Sequence, residues 1–518
     1  MKQMQGLDAS FVALERPNAP LHIGSIIIYD PSTAPGGFVR FKDILRFVEG
    51  RLHLAKSMRQ RMVRVPLGID HPYWIEDPDF DLEYHVRHVA LPKPGDWRQL
   101  CIQAARVFSR PLDLTRPPWE ITIVEGLDNV DGAPEGSYAM LSKVHHAGID
   151  GLSGIDMMHA LNSLSPDVTP PDIADEWKPD DIPNKMGLFA KGYVRAWTNP
   201  VRQLNHLRRS VPGIYKATRS FAKGEFDIDA VRHVPRTRFN DKITAHRTID
   251  ACTFSLSDIK KLRALSVGSK VNDVMLAIVG GGLNKYLKAK EELPSSSLVA
   301  MAPISVREED EKGSMGNQVS AMFAPLGSHI SHPKDRMQYV HGETLKSKKM
   351  TNALGARQMT EVSKSTPALY LGLGARLYTQ LGLANRMKPV INTVVTNVPG
   401  PPIPIYSAGA QMVNMFGNLC LLDGMGLGHV VHSYVDKVTV CFTACRKAIP
   451  DPSFYASCLQ ESFEEMLRAA NNEIRETNKE EGVTATEKPS KKKRKITRVS
   501  EKSSTKTRLN GKDSAVTP

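Results

Sequence analysis

Twenty consecutive residues, Ser165–Asn184 (SPDVTPPDIADEWKPDDIPN), hold five prolines and six acidic side chains. Proline has no amide hydrogen to donate and its ring clashes with the preceding turn, so neither a helix interior nor a central strand can run through such a stretch. It must be a connection, and it divides the 518 residues into two portions. Each portion alternates strand-like and helix-like patterns. In the first, His22–Tyr29 (HIGSIIIY) and Ser137–His145 read as strands, whereas Val39–Leu54 and Gly151–Ser163 carry apolar residues at helical spacing. In the second, Ile249–Phe254, Leu298–Val306 and Val438–Thr443 read as strands. Asp258–Leu265 (with Ser257 as N-cap), Val271–Leu287 and Phe454–Asn472 read as helices. The expected class is α/β. The expected divisions are residues 1–175, a connection over 176–235, a second half over 236–477, and a disordered tail over 478–518.

The net charge of +13 is concentrated in two places. Lys185–Lys223 contains nine Lys/Arg and no Asp/Glu, and Glu487–Pro518 contains eleven Lys/Arg against three Asp/Glu. The remainder is mildly acidic, which argues against a basic nucleic-acid-binding core. Within Lys185–Lys223 the cations interleave with Leu188, Phe189, Tyr193 and Trp197, the composition of a segment lying at a lipid interface or of a helix packed on its own protein. The tail run Lys491–Lys495 (KKKRK) reads as a solvated basic patch. No run of 18 apolar residues occurs, since Leu369–Ala384 is interrupted by Arg376 and Gln380. The first thirty residues lack the pattern of a secretory leader. Six cysteines without a Cys-x-x-Cys pair suggest buried thiols in a reducing compartment. These features together point to a cytoplasmic protein with peripheral contact to a membrane or lipid inclusion.

The segment Val144–Gly154 (VHHAGIDGLSG) carries the chemistry. Two histidines end a strand, and an aspartate follows in a glycine-rich turn before a helix. Successive strand residues point to opposite faces. His145 and His146 therefore diverge, which disfavours a metal site needing convergent ligands. The pattern favours one histidine aimed at substrate and the other buried in support; the bland alternative is a pair of structural histidines. Gly280–Gly282 lacks the rest of a phosphate-binding loop and fits close helix packing. His85 and His88 read as structural. Pro111, Pro117, Pro118 and Trp119 fix a turn, and Thr396–Pro404, with four prolines, reads as a rigid loop.

His145, His146, Asp150 and Gly151 fill the His-His-x-x-x-Asp-Gly signature of the CoA-dependent acyltransferase superfamily. Further segments resemble, in order, the bacterial wax ester synthase/diacylglycerol acyltransferases: Asp8–Glu15 (DASFVALE) with Pro20, His22 and Gly24, Arg110–Glu120 (RPLDLTRPPWE), Val271–Leu276 (VNDVML), Pro303–Arg307 (PISVR), Gly316–Val319 (GNQV) and Thr396–Pro401 (TNVPGP). Two departures are Thr396 in place of the usual Ser and Cys445 where many members carry an acid. The resemblance implies two related chloramphenicol-acetyltransferase-like domains with the active site in a tunnel between them. It implies a long-chain acyl-CoA as co-substrate, with no bound cofactor and no metal, and diacylglycerol or a long-chain fatty alcohol as acceptor. His146 would be the general base, His145 and Asp150 supports, and Arg307 a candidate partner for Asp150. Asn272 would donate to the oxyanion or, with Asp273, simply cap its helix. The rival readings are a condensation-type acyltransferase with another acyl donor and a non-enzymatic lipid-droplet or polyanion-binding protein.

Overall fold

The computed structural model describes residues 1–148, 151–168, 177, 179–194, 233–305, 319–354 and 386–486. Asp150, Arg307, Trp197, most of the Gly316–Val319 motif, Leu369–Ala384 and the tail beyond Thr486 lie outside the described residues. The chain forms two compact units, Met1–Glu473 and Ile474–Pro518. The second is described only to Thr486, where it is helical.

Before the connection the strands are β1 (Lys2–Gln3), β2 (His22–Asp30), β3 (Gln60–Val63), β4 (Tyr73–Glu76), β5 (Val86–Ala90), β6 (Trp119–Glu125) and β7 (Tyr138–His145). After it come β8 (Arg247–Ser255), β9 (Val299–Ser305), β10 (Val319–Pro325), β11 (Thr393–Pro399), β12 (Tyr406–Ser407), β13 (Ala410–Asn418), β14 (Leu427–Tyr434) and β15 (Lys437–Cys445). They build a small sheet, β1-β4-β3, and two six-stranded sheets. One has the order β10-β9-β11-β14-β15-β8 and comes wholly from the second half of the sequence. The other, β12-β13-β2-β7-β6-β5, takes two strands from the second half. The halves are thus interleaved: β13 pairs antiparallel with β2, Phe416 facing Ile26 in the register. The mixed α/β class read from the sequence is the observed one.

The helix Trp97–Phe108 lies where the large sheets meet. A capping box opens it, Asp96 accepting from the Gln99 amide (2.7 Å) and Gln99 accepting in return from Asp96 (3.2 Å). Its Leu100, Cys101, Ala104 and Phe108 join one core with Ile26 and Leu141 from the first half and Ile249 and Cys441 from the second. Trp97 Nε1 donates to Asp250 Oδ1 (2.8 Å) across the same boundary.

Helix Val271–Ala289 is buried on nearly every side and anchors the core of the second half. Its three glycines are a packing device, as their place in the helical pattern implied. A Cβ on Gly280 would overlap the Leu326 carbonyl oxygen, one on Gly281 the Ser462 hydroxyl, and one on Gly282 would lie 2.6 Å from Leu459.

Several boundaries differ from expectation. Ser255, not Ser257, caps the helix Leu256–Lys261, because its hydroxyl accepts from the Ser257 amide (3.2 Å). Thr396–Pro399 is not loop: it belongs to β11 and pairs in parallel with β14, the prolines coming only as pairing ends. The C-terminal helix spans Pro452–Thr486, past residue 478, because Glu, Arg and Lys sustain a helix begun on a packed face. The cysteines are free thiols, all buried except the half-buried Cys420.

Candidate active site

Strand β7 runs through the middle of its sheet and stops at His145; His146 opens the short turn His146–Gly148. The helix Gly151–Leu161 follows. The two histidines therefore straddle the junction of strand and turn, and they differ in environment. His145 is fully buried, whereas His146 is half-buried.

Two of the motif segments clamp this junction. The His145 amide donates to the Pro118 carbonyl (2.9 Å), and the His146 amide donates to the Leu21 carbonyl (2.9 Å). Trp119, next to Pro118, is buried and donates from Nε1 to Met58 O (2.7 Å). Beside them Lys143 is buried against Glu120 at 2.8 Å and donates to the carbonyls of Val107 (3.3 Å) and Arg110 (3.1 Å). Gly24 on β2 leaves room for the Phe108 ring, which a Cβ would strike. His22, opposite His145 in the β2–β7 register, donates through Nε2 to Phe108 O (2.9 Å). Burial and the Lys143 ammonium push His22 down to about 3, so it is neutral throughout the physiological range.

The rings are held as well. His146 stacks on Phe11, centroids 3.9 Å apart and planes at 15°. Its Nδ1 is buried without a hydrogen-bond partner among the described residues. Burial, with a smaller push from His145, lowers its pKa below the ordinary histidine value. His145 Nδ1 accepts from the Ala147 amide (3.1 Å), and its Nε2 stands 3.6 Å from Glu15 Oε1. Phe11 and Glu15 lie in the Asp8–Glu15 motif. The sequence offered that motif as family evidence; the contacts of the two side chains emerge only from the fold.

Asn272 sits half-buried in the first turn of the helix Val271–Ala289. The cap belongs to Asp273, whose Oδ2 accepts from the Lys270 amide (2.9 Å) and pairs with His341 Nδ1 at 3.0 Å. Among the described residues no hydrogen bond joins Asn272 to either histidine. Nor do three His, Cys, Asp or Glu side chains converge there as metal ligands. His85 and His88 are structural, His85 donating to Trp119 O (2.8 Å) and His88 pairing with Glu125 (3.0 Å).

A cavity of about 60 Å³ opens beside the turn, lined by Met58, Trp74, Trp119, Val144, Ala147 and Met157 among others; His146 does not line it. Cys445 lies at a separate cavity of about 210 Å³. Burial works to raise its thiol. Hydrogen bonds from Thr244 and the Lys447 and Ala448 amides outweigh that and hold it below the usual value.

Two family models match the chain. The wax ester synthase/diacylglycerol acyltransferase catalytic domain covers residues 4–275, and the C-terminal domain of the same family covers residues 315–467. A Mycobacterium tuberculosis protein with the provisional name diacylglycerol O-acyltransferase is 31% identical over 473 residues, 90% of this chain and 99% of its own length. The O-acyltransferase WSD of Acinetobacter baylyi is 28% identical over 497 residues, 92% of this chain and 100% of its own. Among solved structures, the wax ester synthase/diacylglycerol acyltransferase of Marinobacter aquaeolei superimposes with a TM-score of 0.64. It is 25% identical and covers 91% of this chain and all of its own.

Proposed function

This chain belongs to the wax ester synthase/diacylglycerol acyltransferase family, and from that premise we propose that it moves a long-chain fatty acyl group from acyl-CoA to the hydroxyl of diacylglycerol, and also to long-chain fatty alcohols, with His146 as general base. The observation that carries this reading is the half-buried His146 ring. It is held on Phe11, kept neutral by burial, and fixed through its own amide to Leu21.

An alcohol is a weak nucleophile at neutral pH and needs a base in the transition state. A neutral imidazole takes the alcohol proton as oxygen attacks the thioester carbonyl. The imidazolium so formed then gives that proton to the departing CoA thiolate. One residue serves both steps, and no acyl-enzyme is required. The tetrahedral intermediate needs a donor at its oxyanion, a contribution of about 2.7–4 kcal/mol where one has been removed elsewhere. Asn272 is the amide assigned here, since Asp273 rather than Asn272 caps that helix. His145 and Asp150 support the turn, with Arg307 as the partner of Asp150. No bound cofactor takes part, and acyl-CoA is consumed as co-substrate.

The acceptors are membrane lipids, and a basic apolar surface fits that supply. Residues 185–194 are helical. Leu188 packs against Val65 and Tyr73, while Met186 is 80% exposed and Phe189 37%. Lys185 and Lys191 flank them. Among the described residues no helix is long and apolar enough to cross a membrane. Contact is therefore peripheral in this reading, through Lys185–Lys223.

The test uses purified protein with palmitoyl-CoA and either diacylglycerol or hexadecanol, following CoA release and product lipid together. His146→Ala is expected to lower turnover by roughly 10² or more with the fold intact. A folded variant that keeps most of its activity would overturn the assignment.

A further inference from the structure

Resting on the acyl-transfer reading, we propose that Glu15 is the positioning residue of the histidine pair, holding the His145 ring through Nε2 and, through Leu21, the place of His146. The Ala147 amide donates to His145 Nδ1 (3.1 Å). A nitrogen that accepts carries no proton, so the neutral ring is protonated on Nε2. That N–H is buried and finds no hydrogen-bond partner among the described residues. What it faces, 3.6 Å away, is Glu15 Oε1. Hydrogen bonds within catalytic groups are often long before substrate binds and shorten afterwards.

The same carboxylate oxygen reaches the second histidine by another route. Oε1 accepts from the Leu21 amide (3.2 Å), and the Leu21 carbonyl accepts from the His146 amide (2.9 Å). Glu15 directly follows the helix Gly6–Leu14, which carries Phe11 under the His146 ring. One acidic side chain thus touches the first ring and the backbone holding the second.

Glu15 is itself held by the far half of the molecule. Arg16 pairs with Asp423 at 3.1 Å, and Asp423 Oδ1 accepts from the Ile243 amide (3.0 Å). Asn18 donates to Ile243 O (3.2 Å), and Arg247 Nη2 donates to Asn18 O (2.7 Å). Segment Glu15–Leu21 is therefore set against β8 and the loop before β14. An acid needed only to cap the Leu21 amide would not have to lie opposite Nε2 of His145.

The test separates charge from shape. Glu15→Gln keeps an acceptor for the Leu21 amide and removes the charge; Glu15→Asp restores the charge on a shorter arm. Against palmitoyl-CoA and hexadecanol, Glu15→Gln is expected to lose roughly tenfold or more in kcat, with KM for both substrates and Tm nearly unchanged. Glu15→Asp is expected to recover part of that loss. Wild-type kcat in Glu15→Gln, a rise in KM alone, a drop in Tm that tracks activity, or no recovery in Glu15→Asp would each overturn the proposal. Nitrogen-15 spectra of histidine-labelled protein read the tautomer without turnover. Both the wild type and Glu15→Gln are expected to show His145 as Nε2–H, since the Ala147 amide keeps Nδ1 an acceptor in each, with the Nε2 resonance displaced in Glu15→Gln; identical spectra would also overturn the proposal. A wild type that shows no turnover, with that displacement of the Nε2 resonance still present in Glu15→Gln, would count against the acyl-transfer reading and not against this one.

Discussion

His146 can act as a base only while its ring is neutral, so its environment sets the acid side of the pH profile. Burial disfavours the imidazolium, and the neighbouring His145 adds to that. The neutral form then persists to lower pH than in a free histidine, whose value is about 6.5. The acid limb of kcat/KM is expected below that value, and a limb at or above it in a pH–rate series would contradict the placement of His146. That the two histidines have different surroundings was legible in the sequence, because successive strand residues diverge. The physical cause differs in detail: the strand stops at His145, and the turn begins at His146. Glu15 was not legible as a neighbour of His145. The contact joins residues far apart in the chain, and it exists only because β2 lies beside β7. Nothing in DASFVALE says which of its side chains points at the strand.

Helix Val271–Ala289 shows how much an element can reveal before its packing is known. Its apolar spacing gave its existence, and the three glycines inside it could only mean close approach or weakness. The fold decides for close approach, and it makes the same substitution differ in sign between two helices. At Gly280 the obstacle is the Leu326 carbonyl, backbone that cannot swing aside. Gly280→Ala is expected to destabilise by about 1–3 kcal/mol or more. At Gly342, on the helix Pro333–Leu354, no atom of the described residues outside the helix's own backbone lies within 4 Å of the added Cβ. There alanine is expected to stabilise by up to about 1 kcal/mol through helix propensity. Denaturant midpoints of the two variants check the pair, and two shifts of one sign would refute the packing argument. Strands β13 and β14 escaped the sequence reading for a related reason. β13 carries a register shift between Met412 and Asn414 that breaks its period of two, and β14 places Gly428, His429 and His432 in a buried strand. His429 is tolerable there because Tyr455 (2.8 Å) and Thr393 (3.1 Å) satisfy its ring.

Across the whole molecule, buried histidines couple stability to pH and interleaved strands couple the two halves to each other. His22 is held near 3, and His429 and His432 near 4, each chiefly by burial. The unfolded chain takes up these protons near pH 6.5 while the folded chain refuses them. Stability is therefore complete above that value and falls as pH drops from about 6.5 toward 4, by about 2 kcal/mol per histidine at pH 5. Tm is expected to fall between pH 7 and 5; a flat curve would mean these rings are not buried neutral. The proline-rich connection divides the sequence into two portions, but the sheet order interleaves them. β2 occupies an interior position only because β13, from the second half, covers its outer edge. Without β13 the run Ile26–Ile28 would become an exposed apolar edge, the kind of strand that pairs with other chains. The helix Trp97–Phe108 would lose Ile249, Phe416 and Cys441 from its core, and Trp97 would lose Asp250. Residues 1–235 expressed alone are therefore expected to aggregate, and co-expression with residues 236–518 is expected to return both to solution as one complex. The decisive measurement is the unfolding of the first fragment by itself: a cooperative transition from a soluble monomer would show that β13 is dispensable and that the halves fold independently.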